Sequence, residues 1–332
     1  MIFSMISFFC KLWRRPLLRI FISVSVLVIL FSILPLSKLW HTVRQIPIGL
    51  WIFAVAATVV VHSVGVIKWS LLINATNNKL PLFSAFRCYF AGLFANIFLP
   101  SVNGGDIVRA GLAIKLNKEK EAVILGSLTD RVIDASALAL IVLSGTLLLP
   151  KMASTGIYRI LLGIVIVLLF FVLFCAILLV APIPLKTPKF VARSISRFRY
   201  TIRELIKNPW RVIIALSVAI IMQMWFIFLF SVFGEKLGIH LSLPIWFIVW
   251  PTAKLSAMLP ISLGGLGVRE AALAVLLSQF DVSLTGSVGL GLLWESLFFA
   301  VGGVGGIFYF ISMNNLSRSG VMVAKGFLNN NE

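Results

Sequence analysis

The chain has 332 residues, of which 60% are hydrophobic and only 12% charged, and its mean hydropathy is +1.06. This composition excludes a soluble globular protein, because several apolar runs reach the roughly 20 residues that a helix needs to cross a bilayer. The net charge of +18 comes from 29 basic and 11 acidic residues. In a membrane protein such an excess is typical of basic residues that flank spans on the cytoplasmic side, so we expect no nucleic-acid partner. We predict an all-α polytopic membrane protein with one integral domain over residues 1–332.

Six apolar segments are long enough to be full spans. The first, residues 17–36, is predicted to be retained, since it is long for a signal peptide and no small-residue cleavage site follows it. The others are residues 48–73, 122–149, 157–180, 212–233 and 284–312. Tryptophan and phenylalanine residues near the span ends are interpreted as belts at the membrane interface.

Two further apolar segments, residues 82–116 and 243–280, each contain a helix-breaking motif. The first motif reads LPSVNGGDIVR over residues 99–109, and the second reads LPISLGGLGVR over residues 259–269. Proline removes a backbone donor and Gly-Gly lowers helix propensity, so each segment is predicted to break at its motif. Paired interruptions in two halves of a membrane protein indicate the binding site of a transporter.

The basic loop over residues 182–211 decides the predicted topology. It contains eight basic residues and one acidic residue, and short loops of this kind lie on the cytoplasmic side. With six spans and both termini cytoplasmic, the loop is cytoplasmic only if each broken segment re-enters on its own side. The two motifs then lie on opposite sides of the cytoplasmic membrane, and residues 48–149 and 212–312 form an inverted repeat, as in many secondary transporters.

Charged residues cluster around the breaks, and charge at membrane depth is usually functional and paired. Asp106 and Arg109 lie one turn apart after the first Gly-Gly. They are either an N-cap carboxylate with a local ion pair or part of a phosphate site at a helix N-terminus. Arg269 and Glu270 follow the second Gly-Gly in the same way.

The span over residues 122–149 contains a second group of charges. Asp130 and Asp134 share one helix face, so a cation or a proton must lie between them, and Arg131 or Arg109 could provide that charge. The group is either a structural buried network or a direct substrate contact.

Five further polar residues in the spans are interpreted one by one. Lys254 and Glu295 are expected to line the same cavity, because a mid-span glutamate cannot reach the interface. Lys68 is close enough to a span end for its ammonium to snorkel to the interface. His62 is interpreted as an interhelical hydrogen-bond partner, and Gln223 is a weaker candidate.

Glycines near the end of the chain and the absence of common motifs complete the sequence pattern. Residues 302–306 read GGVGG, which predicts close helix packing. The chain has no phosphate-binding loop, dinucleotide fingerprint, HExxH motif or nucleophile elbow. We therefore expect no cofactor, no metal site and no catalytic residues.

Both motifs resemble a known family. NIFLP at residues 96–100, GGD at 104–106, VRA at 108–110, Ser127 and the Asp130-Arg131 pair are similar to the transmembrane region of lysylphosphatidylglycerol synthases. Residues 259–270 are similar to the second signature of that family. In two-domain relatives this region is the lipid flippase, and a soluble C-terminal domain transfers the aminoacyl group. Here the chain ends about 20 residues after the last predicted span, so we expect the transferase domain to be absent.

The resemblance implies a flippase-like protein with an open substrate, since some stand-alone relatives are linked to polyprenyl-phosphate-linked sugars. Our leading hypothesis is a lipid translocase that moves a phospholipid or polyprenyl-phosphate-linked headgroup, with its phosphate held by Arg109, Arg131 or Arg269. The expected partners are anionic or phosphate-containing membrane lipids, and a homo-oligomer or an envelope-synthesis partner is open. The candidate substrate-binding residues are Asn96, Gly104, Gly105, Asp106, Arg109, Asp130, Arg131, Asp134, Lys254, Gly264, Gly265, Arg269, Glu270 and Glu295.

Two alternatives stay open. A membrane-embedded transferase acting on a lipid-linked substrate needs a divalent metal, for which Asp130 and Asp134 are the candidate pair. An accessory subunit of another envelope enzyme needs neither transport nor catalysis.

Overall fold

The computed structural model describes residues 44–75, 80–97, 99, 104–116, 120–149, 207–257 and 267–329, together with five isolated positions between 163 and 203. Side chains are described as far as residue 312. The predicted spans 17–36 and 157–180, most of the loop 182–211 and the centres of both motifs lie outside these residues.

The described part of the chain forms eight helices. They are α1 (Ile48–Ile73), α2 (Leu82–Ala95), α3 (Gly104–Leu116), α4 (Lys120–Leu148), α5 (Pro209–Lys236), α6 (Leu243–Ala257), α7 (Val268–Ser278) and α8 (Leu284–Asn329). Four of them are long and apolar enough to cross a membrane: α1, α4, α5 and the part of α8 up to Ser312. The protein is therefore a polytopic helical membrane protein, and the spans predicted at 48–73, 122–149, 212–233 and 284–312 are confirmed.

Each broken segment is divided into two short helices, as its motif predicts. Residues 96–103 separate α2 from α3, and residues 258–267 separate α6 from α7. At the first break, the Asn96 side-chain oxygen accepts a hydrogen bond of 2.6 Å from the Gly105 backbone N–H in the first turn of α3. This bond joins the end of α2 to an otherwise unpaired donor at the start of α3.

At the second break, a carboxylate oxygen instead of an amide oxygen accepts the backbone hydrogen bond at the start of the following helix. Gly267 precedes α7 with a φ of +81°, a conformation that favours glycine. Its N–H donates a hydrogen bond of 2.7 Å to Glu270 Oε2. Helix α6 also contains Pro251, which cannot donate the helical hydrogen bond to the carbonyl of Phe247.

The two halves of the described chain pack in the same pattern. In each half a long helix (α1 or α5) is followed by two short helices (α2–α3 or α6–α7) and a second long helix (α4 or α8). The short helix α2 packs against α8, and its counterpart α6 packs against α4. If each helix is replaced by its equivalent in the other half, every substantial contact between described helices corresponds to another observed contact. The α1–α5 contact corresponds to itself.

The central helices α1 and α5 run antiparallel. Arg211, near the start of α5, donates a hydrogen bond of 3.0 Å to the carbonyl of Asn74 at the end of α1. Further along α5, Trp225 Nε1 donates to the hydroxyl of Thr58, which lies earlier in α1 (3.3 Å). The equivalent helices α1 and α5 therefore point in opposite directions.

Aromatic side chains fill the interior of the second half. The largest buried cluster includes Phe226, Phe230, Trp250 and Trp294, and the centroids of the two indole rings are 4.4 Å apart. The interface-belt interpretation is wrong for Trp69, near the end of α1, because its side chain is fully buried. Packing against neighbouring helices offers an indole more apolar contact than the membrane surface does.

The predicted close packing at residues 302–306 is confirmed. A Cβ atom on Gly305 would lie 2.8 Å from the carbonyl oxygen of Phe90 in α2, and one on Gly302 would lie 2.8 Å from Ile97. Gly303 faces open space. The contact of α8 with α2 therefore depends on glycine at particular positions.

We predict that Gly305→Ala lowers the unfolding temperature of the detergent-solubilised protein, whereas Gly303→Ala leaves it unchanged or raises it. Both substitutions gain about 1 kcal/mol of intrinsic helix propensity, but only the first forces a side chain against backbone. Thermal unfolding followed by tryptophan fluorescence measures both. Equal effects of the two substitutions would contradict this account of the α2–α8 contact.

Candidate functional site

Asp130 lies at the centre of a buried group of charges between α1, α3 and α4. Its side chain is 1% exposed. Arg109 donates to Asp130 Oδ2 at 2.7 Å, and Lys68 Nζ lies 2.9 Å from Asp130 Oδ1. Arg131 Nη2 lies 3.5 Å from the same carboxylate. Three cations thus surround one carboxylate that has almost no contact with the surface.

Two more carboxylates balance these cations. Asp106 lies 3.2 Å from Arg109 Nε and 3.0 Å from Arg131 Nη2. Asp134 accepts a hydrogen bond from Lys68 and lies 3.7 Å from Arg131 Nη1. We call these six residues the first charge cluster, which contains Lys68, Asp106, Arg109, Asp130, Arg131 and Asp134. It has three positive and three negative side chains, as a buried network at membrane depth requires.

The snorkelling interpretation of Lys68 is wrong. Its side chain is only 3% exposed and its ammonium binds Asp130 and Asp134. Helix α1 packs along the face of α4 that carries these two carboxylates, so the ammonium gains ion pairs that the interface cannot offer. The sequence did contain a signal, since Asp106, Asp130 and Asp134 outnumber the two arginines among them and require a third cation.

Aromatic rings hold Arg109 from the other side. Its guanidinium carbon lies 4.9 Å from the Trp69 ring and 5.0 Å from the Tyr89 ring, within the range of cation–π contacts. The Tyr89 hydroxyl is 3.4 Å from His62 Nδ1, so His62 does make an interhelical contact. The arginine is therefore fixed by both its carboxylates and its aromatic neighbours.

A second charge cluster joins α7 to α8. Arg269 Nη2 donates at 2.6 Å to Glu270 Oε1 and at 2.6 Å to Glu295 Oε2. Glu270 is fully buried, whereas Glu295 is partly exposed. As in the first cluster, the last arginine of the motif binds a carboxylate on the long helix that follows. Here two carboxylates share one arginine.

The two clusters lie at one cavity of about 310 Å³ between the halves. The sequence-predicted residues among its lining are Asn96, Gly105, Asp106, Arg109, Arg131, Asp134, Lys254, Arg269 and Glu295. Gly104, Asp130 and Glu270 are buried and do not line the cavity. Gly264 and Gly265 lie outside the described residues. Four of the described lining residues are cations and three are carboxylates.

One wall of this cavity carries only a weak signal in the sequence. Lys254 Nζ donates a hydrogen bond of 3.1 Å to Gln223 Oε1, and the Trp250 indole donates to the same oxygen at 3.4 Å. Trp294 and Phe226 also line the cavity. A lone glutamine and scattered aromatics give no periodic signal, so only the packing of α5 on α6 and α8 reveals this wall.

The chain matches the family model described as "Lysylphosphatidylglycerol synthase TM region" over residues 17–306. It belongs to this family. No curated protein and no solved structure gives a significant match. The match agrees with the resemblance found in the sequence, and it indicates a membrane protein with a lipid-related function.

The charges around Asp130 and Asp134 bear on the metal site that the transferase alternative needs. Asp130 and Asp134 are the pair that the transferase alternative needs, and Lys68 and Arg131 lie within ion-pair distance of both. Their negative charge is balanced by protein cations, which favours an ion-pair network over a divalent metal at this pair. Among the described residues there is no group of three or more His, Cys, Asp or Glu placed to hold a metal ion.

We predict that Asp130→Asn strongly destabilises the protein, by about 3–5 kcal/mol, because it leaves the first charge cluster with one uncompensated positive charge. The unfolding temperature in detergent measures the loss. Asp281→Asn is the matched control, since Asp281 is exposed and its φ of +59° is one that asparagine also adopts. The central role of Asp130 would be refuted by equal unfolding temperatures of the two variants.

Proposed function

We propose that the protein is a lipid translocase of the cytoplasmic membrane, which moves an anionic, phosphate-containing headgroup through the cavity between its halves. The observation that carries the proposal is a cavity of about 310 Å³ lined by charged residues from both halves. Charged lining in a membrane protein is a cost unless something polar occupies or crosses the site. A lipid headgroup would enter this cavity while its acyl or prenyl chains stay in the bilayer.

The exchange of contacts between the halves supports an inverted repeat. The helices α1 and α5 are equivalent in this exchange and antiparallel. In the proposed repeat, the axis that relates the halves would therefore be perpendicular to these helices and would lie in the membrane plane. In the proposed topology six spans and two re-entrant segments leave both termini and the loop 182–211 in the cytoplasm. The segments α2–α3 and α6–α7 then enter from opposite sides.

This symmetry suggests how access could alternate. Two inverted halves can exchange conformations, which opens a central site first to one side of the membrane and then to the other. The first charge cluster would close one side, and the second cluster, formed by Arg269, Glu270 and Glu295, would close the other. With no nucleotide-binding motif in the sequence, movement would be passive or coupled to an ion or proton gradient.

We expect the purified protein to move labelled phosphatidylglycerol or a polyprenyl phosphate between the leaflets of proteoliposomes. The paired substitution Arg269→Gln with Glu295→Gln should lower the rate at least tenfold, because it removes one positive and one negative group from the cavity and leaves the net charge of the second cluster unchanged. The rate at which an impermeant reductant reaches the label measures movement.

The matched control is Glu235→Gln with Lys236→Gln, which removes the same two charges from exposed positions at the end of α5. Its rate should equal that of the wild type. If the folded wild-type protein moves no lipid of either class, the translocase proposal is wrong. If both paired variants are slowed alike, the cavity is not the route.

A further inference from the structure

Lys254 differs from every other cation that lines the cavity. Among the described residues no carboxylate lies within ion-pair distance of its ammonium, whose hydrogen-bond partner is the neutral side chain of Gln223 at 3.1 Å. The neighbouring residues 258–266, which lie outside the described part, include no Asp or Glu. One of its three N–H groups is therefore bound to an amide oxygen, and the ammonium faces the cavity.

The arginines at the cavity are occupied by comparison. Arg109 and Arg269 each bind two carboxylates, and Arg131 lies within 3.7 Å of three. Among the described residues, the Nε groups of these arginines have no hydrogen-bond partner, but their positive charge is already compensated by carboxylates. An incoming phosphate would therefore meet the negative charge of those carboxylates, or would have to displace one and leave it buried without its partner. At Lys254 the same phosphate displaces nothing charged.

The surroundings of Lys254 strengthen its attraction for an anion. Its Nζ lies 5.5 Å from the centroid of the Phe226 ring and 5.9 Å from that of the Trp250 ring. Apolar walls exclude water and lower the local dielectric, so an unpaired charge among them is costly and gains more from an opposite charge than it would in water. Cation–π contacts compensate only part of that cost.

We propose that the Lys254 ammonium is the primary binding point for the anionic group of the substrate and that it selects headgroups of net negative charge over zwitterionic ones. The inference rests on the proposed translocase function and changes the assignment made from sequence, in which an arginine held the phosphate. Gln223 and Trp250 act as positioning residues, since Gln223 Oε1 accepts a hydrogen bond from the ammonium and the Trp250 indole donates to the same oxygen.

Transport selectivity tests the proposal. Proteoliposomes made mainly of phosphatidylcholine carry a labelled tracer of either phosphatidylglycerol or phosphatidylcholine. We expect the wild type to move the anionic tracer faster. Lys254→Met should slow the anionic tracer at least tenfold and the zwitterionic one less than twofold, and Lys254→Arg should retain most of the selectivity. Lys236→Met, at an exposed position, is the matched control. Unchanged selectivity in folded Lys254→Met, or equal slowing of both tracers, would overturn the proposal.

A binding measurement on the wild type tests whether an anionic headgroup binds at Lys254, even if Lys254→Met does not fold or no lipid moves. Acetic anhydride acetylates accessible lysines, and mass spectrometry compares Lys254 with Lys236. Phosphatidylglycerol should protect Lys254 at least fivefold relative to phosphatidylcholine and leave Lys236 unaffected. Protection by inorganic phosphate as well would support an anion site that also admits soluble ions. If only inorganic phosphate protects Lys254 from acetylation, or if neither ligand does, the proposal that a lipid headgroup binds at Lys254 is wrong. If phosphatidylglycerol protects Lys254 but no lipid is transported, only the translocase function is refuted.

Discussion

The fold depends on charge compensation in an apolar interior. A carboxylate such as Asp130, 1% exposed, is tolerated inside a bundle of apolar helices only because Lys68 and Arg109 lie at ion-pair distance. These pairs join the consecutive helices α3 and α4 to α1, which precedes them in the chain by the whole of α2. They therefore specify which helices are neighbours more sharply than apolar packing can, since one lipid-facing surface of leucine and valine resembles another.

The same device occurs twice with different charge balance. In each half the arginine that ends the motif binds a carboxylate on the following long helix, Asp130 in one case and Glu295 in the other. The first cluster is neutral, whereas Arg269 is shared by two carboxylates and carries a net negative environment. The halves are thus alike in their pattern of helix contacts and different in electrostatics.

Much of the fold follows from local properties of the sequence. Hydropathy located α1, α4, α5 and the first part of α8, because the length of an apolar run is set by the thickness of the bilayer. Proline and paired glycines located both breaks, since their effect on a helix is intrinsic. The charged residues of the motifs were recognised for a similar reason: a carboxylate at membrane depth is unusual wherever it occurs.

The partner of each charged side chain is harder to predict from the sequence, because pairing depends on which helices are neighbours in the fold. The sequence predicts an interfacial Lys68 and gives only a weak signal at Gln223. The tertiary packing instead places Lys68 in a neutral ion-pair network, and it places Gln223 beside Lys254, which has no carboxylate at ion-pair distance in the described part of the chain.

Pro251 makes helix α6 easier to bend beside the cavity. Pro251 lies one turn before Lys254 and cannot donate to the carbonyl of Phe247, so the turn that carries the ammonium is attached to the rest of the helix by one hydrogen bond fewer. A helix bends most easily where its hydrogen-bond ladder is interrupted. Helix α6 is therefore least stiff beside the cavity. Trp246 and Trp250 pack the preceding turns into the aromatic core, so a bend at Pro251 would move the final turn, which carries Lys254, relative to that core.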